Sequence, residues 1–500
     1  MRRACLIIPM ILVIICSCDL FDTAVTETDK KRPTVTIIDP QLSESTFVNP
    51  YYVWGIAEDD LGVQGVYLSV NGSGFEVISG TEFWGKDVVL KSGVKELNTI
   101  KVYAVDTAGK SSATNTRNIY MCNKLVPLSA GEHFGFGSSV AVNADSTVFA
   151  VGSPYVDNEG AVFVYRWVNG QWQITKISAS DGFQGDHFGI DVDISDDGNV
   201  IVAGADQDIP SGCAYILTWN GSTWDEKKVS PSDGSTMTHF GESVAISGDG
   251  TTIVCGCSWD NEAASYAGAI YIYTGNLEFL SEDKITPAVV KSDLFFGCDV
   301  DVSRDGKTVV AGAFGMTNNG YSAGCVYAYK LNGFTWEESK LLAGDPQAYD
   351  YLGMNIAVSA DGNTVAAGAK GSDSQGTDCG AVYVFTYFGA SWSRSKISIP
   401  GIVTNGYFGC SISLNSNGNT VAVGAKLTDN FGADSGSAYV CTKSGLFWDT
   451  ELFLPSTGKI SNTFGYSVCI SPDGKTMIAG SELEDDKGLD TGAAWIFQLD

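Results

Sequence analysis

FGESVAISGDGTTIVCG, residues Phe240–Gly256, is followed by a polar loop and then by Gly268-Ala269-Ile270-Tyr271-Ile272-Tyr273. With small changes the phrase occurs seven times. Its Phe-Gly pair begins at Phe136, Phe188, Phe240, Phe296, Leu352 (Leu for Phe), Phe408 and Phe464, in steps of 52, 52, 56, 56, 56 and 56 residues. A constant period of this length marks a repeat architecture. Function on such a chain is a matter of a scaffold and its loops.

Each unit carries four strand signals. The first contains the Phe-Gly and Val-x-Ile-Ser, as in Phe240 to Ser247. A tight turn such as Gly248-Asp249-Gly250 leads to the second, of the type Thr308 to Gly312. Asp-Gly between apolar runs is a strong hairpin signal. A longer polar loop precedes the third strand, such as Gly380 to Phe385, and the fourth starts near Trp224, Trp336, Trp392 or Trp448. A Lys ends the fourth strand 12 residues before the Phe-Gly at Lys124, Lys176, Lys228, Lys284, Lys340 and Lys396, with Leu452 in the seventh slot. Lys124 precedes every first-type strand, and the chain stops after the third strand of the last unit. The orphan strand from Lys124 to Leu128 is therefore expected to complete the last sheet and close a ring of seven blades. Radial repetition of four-stranded sheets is the propeller solution to exposed sheet edges.

The repeat phrase resembles the FG-GAP family, found in integrin α-subunit heads and bacterial surface proteins. Phe188-Gly189 with Gly204-Ala205-Asp206, and Phe136-Gly137 with Gly152-Ser153-Pro154, carry the likeness. The resemblance implies a propeller that binds other proteins or serves as a rigid platform. Many members hold calcium in a D-x-D-x-D-G loop after the first strand. Here those turns centre on Asp145, Asp197, Asp249, Asp305, Asp361, Asn417 and Asp473. Most offer one carboxylate, too few for six to eight oxygen ligands. They are read as hairpin turns, and no metal or other cofactor is expected.

Ahead of the repeats, PTVTIIDP, VWGIAEDDLGVQGVYLSVNG and TIKVYAVDTAGKSS resemble bacterial Ig-like modules, which are mostly spacers. Alternating β-branched and aromatic residues there predict an antiparallel sandwich. At the N-terminus, Arg2 and Arg3 precede a short apolar run, Leu6 to Ile15, the pattern of an export signal. Ile15-Cys16-Ser17-Cys18 resembles the bacterial lipobox, which implies cleavage after Ser17 and diacylglycerol on Cys18. The expected organisation is a signal peptide at 1–17, a lipidated tether at 18–32, an Ig-like domain at 33–119 and an all-β seven-bladed propeller at 121–500.

The formal charge of −28 disfavours nucleic acid and acidic membrane surfaces as partners. Of thirteen Cys, three lie in the signal region. Cys213, Cys325, Cys298, Cys410, Cys255 and Cys257 occupy small-residue core slots and are read as packing residues. The loops between second and third strands carry Asp157, Asp206, Asp208, Asp260, Asp429, Asp485 and Asp486, and predict a solvated acidic rim around the channel mouth. His187, His239, Tyr351 and Tyr407 immediately precede Phe-Gly or Leu-Gly and suggest a partial ring at that mouth. That ring is read as packing between blades, with stacking on a sugar or gripping of a peptide as the alternative. No nucleophile elbow, zinc-protease helix or phosphate loop occurs. The expected function is that of a membrane-anchored binding or scaffold protein, not an enzyme, whose loop face recognises a protein or glycan. The alternative is a propeller enzyme acting on polysaccharide or peptide at the channel mouth, which requires two or more convergent carboxylates of raised pKa, or a bound metal.

Overall fold

The computed structural model describes residues 31–499 except 40–43, 47–50, 79, 92–96, 122, 129–130, 169–170, 234–235, 277–278, 318–319, 400–403, 456–459 and 486–487. The expected signal peptide, Cys18, most of the tether and Asp486 lie outside the described residues. Among those described, regular structure is almost entirely strand, with one 3-10 turn at Val156–Asn158.

The chain has two compact units, one containing Tyr52–Asp87 and Ile100–Arg117, the other containing Asn118–Asp500. In the first, Thr34–Asp39 pairs antiparallel with Tyr51–Glu58, and Val63–Val70 pairs with Leu97–Asp106 and Glu76–Ile78. Strand alternation buries Val35, Ile37, Val53 and Ala57 and leaves Thr34, Thr36, Tyr52 and Trp54 outside. One pairing departs from the antiparallel expectation. Glu44–Thr46 runs parallel to Ile119–Met121, which the long intervening chain permits.

Four-stranded antiparallel sheets follow, seven among the described residues, and the architecture is that of a β-propeller. The first is Val140–Val142, Val148–Ser153, Ala161–Val168 and Gln171–Ile177. The last takes its fourth strand from Asn123–Leu125, which pairs with Ala493–Gln498 through Leu125↔Ala494 and Lys124↔Trp495. The expected closure is present and shorter than Lys124 to Leu128. Each sheet buries both faces against its neighbours. Second strands such as Thr308–Ala313 are accordingly buried throughout, while fourth strands such as Thr335–Leu341 are half exposed. One core layer joins Ile478, Ala494 and Ile496 of the last sheet to Phe149, Val151 and Phe163 of the first.

The Phe-Gly pair stands mostly outside the strand expected to contain it. The innermost strand of the third sheet is only Val244–Ile246. Phe240 instead makes a parallel bridge to Gly212 of the preceding sheet, as Phe188 does to Gly160 and Phe136 to Gly492. The Phe ring is fully buried against the third strand of its own sheet, with Phe240 to Tyr271 at 5.2 Å. Burying one Phe contributes about 1.5–3 kcal/mol. The following Gly has φ near +85° at Gly241, and its carbonyl lies where a Cβ on Gly204 would be, 1.8 Å away. Both glycines of the repeat thus serve the close approach of adjacent sheets.

Candidate functional site

The innermost strands enclose a channel of about 520 Å³. These strands are sheet edges, so their inward N–H groups lack ladder partners. Side chains of the preceding sheet supply acceptors. The Val244 and Ile246 N–H groups donate to Asp191 and Asp193 at 2.8 Å each, and those of Ile356 and Val358 donate to Asp299 and Asp301 at 2.6 Å each. Ser411 and Ser413 do the same for Val468 and Ile470.

The four carboxyls lie within electrostatic reach of one another. Burial, and then the neighbouring carboxyl Asp301, push Asp193 up to about 8. Burial likewise raises Asp301 to about 7 and holds Asp191 and Asp299 above the usual carboxylate range. Glu242, also lining the channel, is pushed up to about 8 by burial. Sequence reading missed this group. Its signal was Asp-Val-Asp at Asp191–Asp193 and Asp299–Asp301, in slots where other units carry Ser, Asn, Ala or Cys.

The rim acids divide into two kinds. Asp429 and Asp485 are exposed and cap their own loops, accepting the N–H groups of Asp434 and Asp490. Asp157 is largely exposed and pairs with Lys176. The others correct the expectation of a solvated rim. Asp208 and Asp260 are buried and pair with Lys228 at 2.7 Å and Lys284 at 2.9 Å. These are the lysines that end the fourth strands, and Lys124 pairs likewise with buried Glu484 at 3.2 Å. A loop carboxylate from the preceding connection joins the Lys228, Lys284 and Lys396 groups. Asp181 accepts from Tyr215 and Lys228, Asp233 from Tyr271 and Lys284, and Asp345 from Tyr383 and Lys396. Each of these carboxylates fastens a connecting loop to the sheet that follows it. Asp233, Asp260 and Glu262 stand close enough to share a cation, and the Lys284 ammonium already lies 2.5–2.9 Å from all three.

His187 and His239 converge on Asp206, at 3.1 and 2.8 Å. These bonds, with Gln207, outweigh the burial of Asp206 and hold its carboxyl below the usual range, while Asp206 raises His239. His187, His239, Tyr351 and Tyr407 share a backbone property that the sequence did not announce. All have φ between 53° and 61°, as does Thr463 at 55°, with Phe295 close by at 52°. Bulky residues adopt that region only where surrounding structure imposes it.

From His239 a line of aromatic rings runs across three sheets. Centroids are 4.2 Å apart for His239–Trp259, 5.5 for Trp259–Tyr266, 5.8 for Tyr266–Phe295 and 4.8 for Phe295–Phe314. The line continues at 6.2 Å to Tyr351, 6.1 to Tyr349 and 5.7 to Tyr321. Trp259, Tyr266, Tyr349 and Tyr321 are 39%, 37%, 53% and 61% exposed. Tyr407 lies outside this line of ring contacts and within electrostatic reach of Tyr351.

Residues 172–217, 224–273, 336–385 and 393–441 match the FG-GAP repeat family. The protein is a β-propeller carrying FG-GAP repeats. No curated protein sequence matches it. Among solved structures, U3-55K is similar at 11% identity and TM-score 0.49, over 76% of this chain and 98% of that one. The periplasmic gluconolactonase PpgL of Pseudomonas aeruginosa is similar at 14% identity and TM-score 0.41, over 72% and 93%. TolB of Acinetobacter baumannii is similar at 13% and 0.38, over 73% and 77%.

Proposed function

We propose that this protein is a lipid-anchored, extracytoplasmic recognition protein in which an Ig-like spacer precedes a seven-bladed FG-GAP-type propeller. Its ligand is a glycan or glycosylated partner, bound in adhesion or envelope organisation. The observation that carries this reading is the line of rings from Trp259 to Tyr321, of which Trp259, Tyr266, Tyr349 and Tyr321 are exposed. Aromatic rings offer flat, stiff, amphipathic surface at little entropic cost, and a sugar's C–H face packs on the electron-rich ring face. Loops on a rigid scaffold are the usual seat of recognition.

The test is a glycan array probed with residues 31–500, followed by tryptophan-fluorescence titration of the best ligands. Quenching in the native chain, and weakened binding in Trp259→Ala and Tyr349→Ala with unchanged Tm, supports the reading. Absence of binding to every glycan overturns it. Anchoring is tested separately, by labelled palmitate entering the native protein and not Cys18→Ala.

A second reading, catalysis on a polysaccharide, draws on the raised carboxyls Asp193 and Asp301 in the channel. New reducing ends released by the native protein and not by Asp193→Asn would favour it.

A further inference from the structure

Lys124, Lys228, Lys284 and Lys396 of this acidic propeller are each matched to a carboxylate. Lys370 and Lys426 are different. They follow the second strands of the fifth and sixth sheets, directly after Ala369 and Ala425, and both line the channel. Neither side chain makes a hydrogen bond or ion pair among the described residues. Lys426 lies over the Tyr466 ring at 4.2 Å. The groups acting on Lys370 are Lys426 and the thiols of Cys410 and Cys298, with no carboxylate among them, and burial lowers its affinity for a proton. Glu482 is near enough to feel Lys426 but forms no ion pair with it, and burial pushes Glu482 up to about 7. Two neighbouring lysines that no carboxylate ion-pairs, on the wall of a cavity, form an anion site.

The line of rings leads to this place. Phe314 occupies in the fourth sheet the slot that Lys370 and Lys426 hold in the next two. Tyr351 touches Phe314, and its ring lies against Gly371, where a Cβ would be 3.2 Å from the ring. The same channel is lined by Glu242, Asp191 and Asp299, and among the described residues that line it Arg304 is the one other cation. The −28 charge of the chain disfavours a polyanion. The site therefore suits a ligand with one negative charge at its tip and neutral sugar behind it.

Resting on the glycan reading above, we propose that Lys370 and Lys426 bind the carboxylate of a single acidic sugar capping an otherwise neutral glycan, while Tyr351 and Phe314 pack on its ring.

The test uses calorimetry on residues 31–500 with three probes: xylotriose capped by one glucuronate, neutral xylotetraose, and an acetylated glutamate-rich peptide. The native chain is expected to bind the capped glycan more tightly than xylotetraose, with an affinity that falls as salt rises. K370Q/K426Q is expected to lose about tenfold or more for the capped glycan, the scale of a charge-assisted hydrogen bond, and nothing for xylotetraose. An unchanged Tm shows that the variant is folded, and the single variants K370Q and K426Q serve if the double variant is not. Equal binding of both glycans, unaffected by K370Q/K426Q, overturns the carboxylate site and leaves the glycan reading standing. Binding of the peptide alone overturns both.

Discussion

Arg304, in the hairpin turn of the fourth four-stranded sheet, reaches Asp196 in the turn of the second, 108 residues earlier, with Nε to Oδ2 at 2.9 Å. The same guanidinium approaches Ser416 of the sixth sheet at 3.5 Å. The turns are also tied by backbone bonds, from Asp196 N–H to the Gly248 carbonyl and from Gly248 N–H to the Arg304 carbonyl. One side chain thus links three sheets that are not adjacent, at the turn end of the channel. The ring is held here by polar contacts, whereas its sheets are held face to face by apolar ones. Arg304→Met and Asp196→Asn are expected to be non-additive, with a coupling of about 0.5–3 kcal/mol in a double-mutant cycle followed by urea denaturation.

The close approach of Gly204 to the Gly241 carbonyl predicts a large effect from one methyl group. Gly204→Ala requires neighbouring sheets to separate and is expected to cost about 1–3 kcal/mol. Gly221→Ala is a suitable contrast, because a Cβ there meets nothing within 4 Å and its φ of 100° adds backbone strain alone. Thermal denaturation should show the larger drop for Gly204→Ala.

The lysine clusters predict unequal costs for chemically identical substitutions. Asp208→Ala leaves Lys228 partly buried with one partner fewer, and is expected to cost about 1–3 kcal/mol. Asp157, on a side chain 65% exposed, should matter by about 1 kcal/mol or less when replaced by Ala. Denaturant titration of the two variants measures the difference. Equal effects would show that burial does not govern these pairs.

The channel carboxyls predict an unusual pH dependence. Asp193 and Asp301 have folded-state pKa values of about 8 and about 7, above the ordinary 3.8. The folded state therefore holds more protons than the unfolded chain between those limits, and stability falls as pH rises through them. The contribution is fully present only near the bottom of that window. Carboxyls held low in the fold, such as Asp206, Asp181 and Asp345, begin to lose theirs below about pH 4. Tm should therefore be greatest near about pH 5 and decline toward pH 9. Asp193→Asn combined with Asp301→Asn should flatten the decline. A Tm that rises from pH 5 to pH 8 would contradict the assignment.

The repeat period, the strand count per unit and the orphan strand at Lys124 were legible because each depends on local pattern and chain order. A period-two alternation marks a strand wherever it lies, and a missing partner at one end implies a pairing at the other. Phe-Gly was legible as a motif but misplaced as part of a strand, since its role is the bridge to the preceding sheet, as in Phe240 to Gly212. The acids were counted correctly and located poorly. Asp208 and Asp429 look alike in sequence, yet one meets a lysine 20 residues later across its own sheet and the other caps its own loop.

By itself the sequence determined a repeated all-β architecture, because hydrophobic periodicity and turn chemistry are local properties of the chain. Only the tertiary structure decided which charges face each other. Asp191 and Asp299 are two repeats apart, and Lys370 and Lys426 one, and closing the ring is what gathers them around a single channel. Electrostatic energy depends on distance and burial, and neither can be read until the sheets have been placed.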